Sequence, residues 1–252
     1  MIGSDTNLIN RTIDQTLMYL QLSKKARDQF KVADLQTIWY RSLLDNKLDF
    51  SVYDSDLYLA ELWSCWVVCS RKYLLSLLNP KYFPPEGVFA DMKNVRSVAD
   101  LGCGIAYSTI ALKEMFPKAE VYGTNIEHSK QTEVAIYLSK MHSFKVLYSL
   151  PDEHTDLVFA SEYFEHFQKP VEHLEEVLNR LKPNYLLIAN AFTYSSIGHF
   201  NNYSVDGHVI PSDKVSRLFN NRLKDYGYEK VKTKLWNNRP DYWKKRSRQT
   251  EN

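Results

Sequence analysis

Apolar positions in the first 95 residues recur at spacings of three and four. Leu59, Leu62, Trp63, Trp66, Val67, Tyr73, Leu74, Leu77 and Leu78 form one stripe, opened by Ser55-Asp56 and closed by Asn79-Pro80. This pattern predicts a helix with one buried face. Ile9, Ile13, Leu17 and Leu20 make an earlier stripe, and Leu35, Ile38, Trp39, Ser42 and Leu43 another. From residue 80 the run PKYFPPEG, with three prolines and a glycine, predicts a linker or turn. After it, short apolar runs alternate with helical ones, the pattern of βα repeats on a mostly parallel sheet. Strands are predicted at 97–101, 120–123, 144–148, 157–160 and 185–189, and helices near 108–115, 130–141 and 171–181. A further helix is predicted over 212–226 and a strand or hairpin arm over 228–236. The last dozen residues, KKRSRQTEN included, read as a frayed basic tail. The chain therefore divides into a helical cap or lid (1–95), an α/β ligand-binding domain (96–240) and a tail (241–252).

Composition narrows the class without naming a function. At 252 residues, 44% hydrophobic and 25% charged, the chain is neither disordered nor collagen-like nor a coiled coil. A chain of this length buries roughly 75% of its unfolded surface and needs no disulfide or structural metal. Its three cysteines, an odd number, do not make a disulfide framework. There is no basic start with an apolar run over residues 1–30, and the one charge-free stretch of 18 or more residues, 183–205, is interspersed with Asn, Ser, Thr and His, so neither a signal peptide nor a membrane span is expected, and the location is expected to be cytoplasmic. The net charge of +2 argues against a molecule that binds nucleic acid through its overall field. Its distribution is uneven, however. Residues 100–176 carry 13 acids and 6 bases, while 222–252 carry 10 bases and 4 acids, so the middle favours a cation and the end an anion. Three of the eight glycines, Gly102, Gly104 and Gly123, fall within 22 residues.

The run VADLGCGIAYSTIAL sets an acid and two glycines where a predicted strand ends and a helix begins. In an open parallel sheet a ligand binds at such a point, because strand ends and a helix start leave a crevice with free N–H groups. A dinucleotide fingerprint wants Gly or Ala where Tyr107 stands, and Asp100 would repel a pyrophosphate. Asp100 suits a ligand bearing an ammonium and a sulfonium, which is S-adenosylmethionine. A dehydrogenase on the same kind of fold is therefore disfavoured.

From about residue 95 to 190 the sequence resembles the class I, Rossmann-like S-adenosylmethionine-dependent methyltransferases. DLGCGIA resembles their first motif and VYGTNIE the end of their second strand. LPDEHTDLVFASEYFEHFQKP, followed by LEEVLNRLKP, resembles their fourth-strand region and the helix before strand five. The resemblance implies a doubly wound seven-stranded sheet of order 3-2-1-4-5-7-6 with strand seven antiparallel. It also implies S-adenosylmethionine as cofactor, held by Asp100, Gly102, Cys103, Gly104 and Ala106. The ribose would fall to Asn125, which stands where the family usually has an acid, or to Glu127. Ser149 and Leu150 would lie beside the adenine, and Ser161 and Glu162 under the methionine moiety.

Methyl transfer from a sulfonium is an in-line displacement, so positioning and one proton acceptor can suffice. Candidates for that role are His166, in the Glu165-His166 pair frequent in this family, and His199 or Tyr203. The latter two lie in a polar connection that also holds Gly198, Asp206, Gly207 and His208, expected to be a substrate-contacting loop. Tyr53 is a candidate lid residue. No metal is expected, since His199 and His208 are nine apart with no further ligands at a recognised spacing. Cys65, Cys69 and Cys103 are expected to be packing residues. Ser161-Glu162-Tyr163-Phe164 stands where amino-methyltransferases of DNA bases carry Asn or Asp-Pro-Pro-aromatic, and no Pro-Cys pair is present. DNA bases are thus disfavoured as acceptors, and an RNA or other phosphate-bearing substrate remains open. The expected activity is methyl transfer to an O or N atom of a small or medium-sized polar acceptor. The rival is a non-catalytic adenosyl-binding or scaffolding protein, kept open by Asn125.

Overall fold

The computed structural model describes residues 33–54, 58, 90–233 and 240–246. The stripes at 9–20 and 59–78, the linker at 80–87, Cys65, Cys69 and the last six residues lie outside the described residues.

Helix α1 (Ala33–Leu44) leads into a 3-10 turn at Phe50–Asp54. Leu35, Trp39 and Ser42 are buried on its inner face, whereas Ile38, expected on the same stripe, is 42% exposed. The α/β unit then runs β1 (Ser97–Leu101), α2 (Tyr107–Met115), β2 (Glu120–Thr124), α3 (Lys130–His142), β3 (Lys145–Leu147), β4 (Leu157–Ser161), a 3-10 turn (Phe164–His166), α4 (Pro170–Leu181) and β5 (Tyr185–Ala189). It closes with β6 (Asn202–Val205), β7 (His208–Pro211), α5 (Ser212–Asp225), β8 (Tyr228–Val231) and β9 (Asp241–Lys245). The five strands and four helices expected over 97–226 form with ends shifted by at most one residue.

The large sheet has order β3-β2-β1-β4-β5-β9-β8. β1 pairs with β2 and β4, β2 with β3, and β4 with β5, all parallel. β9 is antiparallel to both β5 and β8. This is the class I methyltransferase order, with β9 in the place of strand seven. The strands read as continuous apolar runs because both faces are covered. Val98, Leu157, Phe159 and Leu187 pack with Ile110, Leu112, Val134 and Leu138 of α2 and α3. Their neighbours Ala99, Leu101, Val158, Ala160, Leu186 and Ile188 pack with Leu174, Val177 and Leu181 of α4 and with Val215 and Phe219 of α5, where Trp39 also sits.

Two expectations are corrected. Residues 241–245, read as the start of a frayed tail, form a strand between β5 and β8. Tyr242 goes to one face and Trp243 to the other, both 1% exposed, and Asp241 pairs with Lys230 at 2.6 Å. The local excess of bases concealed two consecutive aromatics, each anchoring a different core. The connection expected as a loop at 199–208 holds a β-hairpin of β6 and β7. Asp206 (φ 50°) and Gly207 (φ 79°) form its two-residue turn, the left-handed pair that suits the twist of a tight hairpin. Among the described residues no helix is long and apolar enough to cross a membrane.

Candidate active site

β1, β2 and β3 follow one another in one direction from the centre of the sheet, and β4 and β5 in the other. A crevice therefore opens beyond the carboxyl ends of β1 and β4. A cavity of about 1280 Å³ occupies it, above the several hundred Å³ usual for a single small ligand.

The first wall is the turn between β1 and α2. Gly102 (φ 65°), Gly104 (φ 53°) and Ala106 (φ 66°) are all left-handed. At Gly102 a Cβ would stand 2.4 Å from the Tyr163 ring, so glycine is required there by space as well as by φ. The turn is tied to β2 where Cys103 N donates to Thr124 O at 2.9 Å and Gly102 N donates to Thr124 Oγ1 at 3.2 Å. Gly102, Cys103, Gly104, Asn125, Ser149 and Leu150 line the cavity as expected.

Asp100, Ala106 and Glu127 do not line it. Strand alternation turns Asp100 toward α2, where it is 1% exposed and accepts from Ser108 Oγ at 2.7 Å and Thr109 Oγ1 at 2.6 Å. Burial pushes its carboxyl up to about 6. It secures the start of α2 from beneath the glycine turn. Ala106 is buried as the residue that enters α2. Glu127 is exposed and faces His128 at 3.4 Å. Asn125 is engaged within the protein: its Nδ2 donates to Gly104 O at 2.7 Å and its Oδ1 accepts from Ile126 N at 2.9 Å. The amide joins β2 to the glycine turn, which a carboxylate could not do.

The second wall follows β4 and β5. Ser161, Glu162, His166 and His199 line the cavity. Glu162 is left-handed (φ 52°) and turns the chain into the 3-10 segment. The imidazole of His166 meets Tyr53 Oη, with 3.0 Å between Nδ1 and the phenol oxygen. Burial and the nearby His199 hold His166 down at about 3, so the ring is neutral at neutral pH. Burial and the charge of Glu165 push the Tyr53 phenol above its ordinary range. The His199 ring packs edge-on to His166 with centroids 4.9 Å apart. Its Nδ1 donates to Tyr194 O at 2.6 Å, and burial lowers its affinity for a second proton. Glu165 is fully buried and accepts from Ala191 N at 2.8 Å. Burial first, then the charge of Glu162, raise its carboxyl well above the ordinary range.

Tyr203 is corrected from candidate base to structural residue. It is 1% exposed, does not line the cavity, and its Oη donates to Glu165 O at 3.0 Å. Hairpin alternation points it into the core under the Glu165-His166 segment. Sequence reasoning missed Tyr163, which covers Gly102 and meets His173 Nε2 at 2.8 Å through its Oη. It also missed Arg180 of α4, which donates to Leu150 O and to Asp152 Oδ1. Gly198 is the tightest point: a Cβ there would stand 1.6 Å from Tyr53 Oη and 2.4 Å from His166 Nδ1, and its φ is 79°. The available signal was its place as the lone glycine just before His199. Phe50, Tyr53 and Tyr58 from the N-terminal region complete the roof.

Residues 99–189 match the family model described as "Methyltransferase domain". The trans-aconitate 2-methyltransferase of Rhodopseudomonas palustris (strain BisB5) is 32% identical over 89 residues, 34% of this chain and 35% of that protein. The chain thus spans about a third of the length of the curated relative it matches. Among solved structures, the mitomycin 7-O-methyltransferase MmcR superposes with a TM-score of 0.54 at 12% identity, over 86% of this chain and 67% of that one. The plantazolicin methyltransferase BpumL in complex with SAH gives a TM-score of 0.44 at 18% identity, over 63% and 60%. The matched stretch is thus similar to a methyltransferase domain, and the sheet order around it is that of the class I methyltransferase fold.

Proposed function

We propose that the protein transfers a methyl group from S-adenosylmethionine to an O or N atom of a small or medium-sized polar acceptor. The observation that carries this reading is the continuity of the cavity. One space runs from the glycine turn and Asn125 to the aromatic chamber of Tyr53, His166 and Phe200. The cofactor fits the first part by the chemistry of its walls: left-handed glycines bring backbone close, and Asn125, Ser149, Ser161 and Glu162 supply polar groups. The N-terminus of α2 offers free amides and a positive dipole end to a carboxylate.

When bound, S-adenosylmethionine supplies a methyl carbon on a positively charged sulfur. Gly102 and Gly104 would admit its adenosyl and methionine parts, with Leu150 against the base and Glu162 near the ammonium. His166, neutral and aimed by Tyr53 and Gly198, would accept a hydrogen bond from the acceptor and orient its lone pair along the transfer line. Aromatic rings around the chamber exclude water, which keeps the acceptor as the only nucleophile.

The test pairs binding with turnover. Calorimetry should show S-adenosylmethionine and S-adenosylhomocysteine binding without NAD, and a panel of hydroxylated and amino acceptors should release S-adenosylhomocysteine with at least one member. His166→Ala should lower that release by about 10² while S-adenosylhomocysteine binding stays within about threefold, under ~0.7 kcal/mol. Comparable NAD binding, or no adenosyl binding, overturns the cofactor assignment. Binding without turnover on any acceptor favours the adenosyl-binding scaffold.

A further inference from the structure

The acceptor end of the cavity holds a second grouping that residue spacing did not bring out. Glu162 and Glu165 follow β4, and His199 comes from the connection after β5, yet one ligand atom from each lies within 4.8 Å of the others. We propose that Glu162, Glu165 and His199 form a binding site for a divalent cation, with the mixed oxygen and nitrogen ligands that suit Mn²⁺.

Distance comes first. Two ligands at roughly 2.1 Å from one ion stand about 3.0 Å apart when adjacent and about 4.2 Å when opposite, so atoms within 4.8 Å of one another need to close by a side-chain movement of about an ångström or two. Small side-chain rotations supply that. The state of the histidine comes second. Because His199 donates its Nδ1 hydrogen to the Tyr194 carbonyl at 2.6 Å, the other ring nitrogen carries the lone pair. A metal-binding imidazole is commonly oriented and polarised in this way by a carbonyl behind it. The third point is charge. Glu165 is fully buried, the uncharged Ala191 amide donates to it, and a second carboxyl group, Glu162, stands beside it. Two carboxylates at a buried edge repel, and a dication between them turns repulsion into attraction.

The framework around the three ligands is built to hold them. Tyr203 Oη fixes the Glu165 backbone, Trp39 Nε1 fixes the His199 backbone at 2.8 Å, and the left-handed turn at Glu162 directs that side chain to the cavity. Two carboxylate oxygens and one imidazole nitrogen favour Mn²⁺ over the thiolate-seeking metals and over Mg²⁺, which prefers oxygen alone. An ion here would stand beside His166 and offer an oxygen-bearing acceptor a place to bind. Glu165 and His199 lie on the wall opposite the glycine turn, while Glu162 also faces the methionine end of the cofactor site, so metal binding is measured without cofactor.

The full chain, stripped with EDTA and dialysed, should be titrated with MnCl₂ while free Mn²⁺ is followed by electron paramagnetic resonance, and with MgCl₂ and ZnCl₂ by calorimetry. One equivalent of Mn²⁺ is expected to bind. Glu162→Gln, at an exposed position that leaves packing intact, and His199→Ala should each weaken binding by about 100-fold or more, beyond what loss of an outer-shell partner produces. Far-ultraviolet circular dichroism and urea unfolding of the same variants, matching the parent, show that they are folded. Absence of Mn²⁺ binding at about 1 mM, far above the affinity of a three-ligand site, overturns the proposal. So does binding that neither substitution changes.

Discussion

Between Asp100 and Leu150 the cavity wall is mainly backbone, whereas between Ser161 and Phe200 it is mainly side chains. On the first side the polar groups are spent on one another. Asp100 holds Ser108 and Thr109, Asn125 holds Gly104, and Thr124 holds Gly102 and Cys103. What faces the ligand is a chain path with three left-handed residues in five. On the second side, ionisable groups from two separate segments are pressed together, two of them carboxylates and two imidazoles, with a tyrosine from the N-terminal region over His166. A wall of the first kind recognises a shape common to a whole family. A wall of the second kind can carry the chemistry particular to one protein.

The largest expected effect strikes the second wall alone. Gly198→Val puts a branched side chain where Tyr53 Oη and His166 Nδ1 already stand, at a left-handed φ. Turnover should fall by about 10³ through misplacement of His166, while S-adenosylhomocysteine affinity, read by calorimetry, stays within about threefold. Parallel losses of both would show that the two walls are one mechanical unit.

The next effect belongs to the first wall and concerns stability. Asp100 has its carboxyl raised to about 6 in the folded protein by burial, against 3.8 ordinarily. Below pH 3.8 it is protonated folded or unfolded. Between 3.8 and about 6 the unfolded chain ionises while the buried carboxyl keeps its proton, so stability falls across that window and levels off above about 6. A shift of about two pH units corresponds to about 3 kcal/mol. Urea unfolding between pH 4 and 7 should therefore show the parent losing about that much relative to Asp100→Asn. An equal pH slope in both proteins would mean that the Ser108 and Thr109 hydroxyls already compensate the charge.

A smaller change tests how the first wall meets its ligand. Asn125→Asp restores the acid usual in the family, yet here it would set a carboxylate against the Gly104 carbonyl that the amide now engages. Cofactor affinity should fall by about tenfold, ~1.4 kcal/mol. A gain of the same size would show that the ribose displaces the Asn125 contact. Smallest of all, Tyr203→Phe removes a buried hydrogen bond to Glu165 O and should cost about 1 kcal/mol in denaturant stability, with cofactor affinity unchanged.

How far the sequence is legible follows the same division. The β1 turn, the strands at 97–101 and 185–189, and the helices over 107–115, 130–142, 170–181 and 212–225 depend on local periodicity, punctuation and glycine placement, so they can be read from short windows. Gly102, Gly104, Asn125, Ser149, Leu150, Ser161 and Glu162 reach the cavity because a strand-to-crevice rule carries them there. Asp100 shares a face of β1 with Val98 and not with Leu101, so strand alternation turns it to α2 and away from the crevice. The hairpin was likewise signalled by Asp206-Gly207, and the strand at 241–245 was obscured by the bases around Tyr242 and Trp243.

The sequence by itself determined the class of fold and the position of the glycine turn, because both depend on residues adjacent in the chain or one helical turn apart. Only the tertiary structure decided that Tyr53 meets His166 across 113 positions, that Trp39 fixes His199 across 160, and that Glu162, Glu165 and His199 converge. It alone decided that Tyr203 supports rather than reacts. These outcomes depend on the order in which strands assemble and on which side chains share a small volume afterwards. Contacts so distant along the chain leave no periodic trace in it, since burial and charge at each position are set by neighbours that folding supplies.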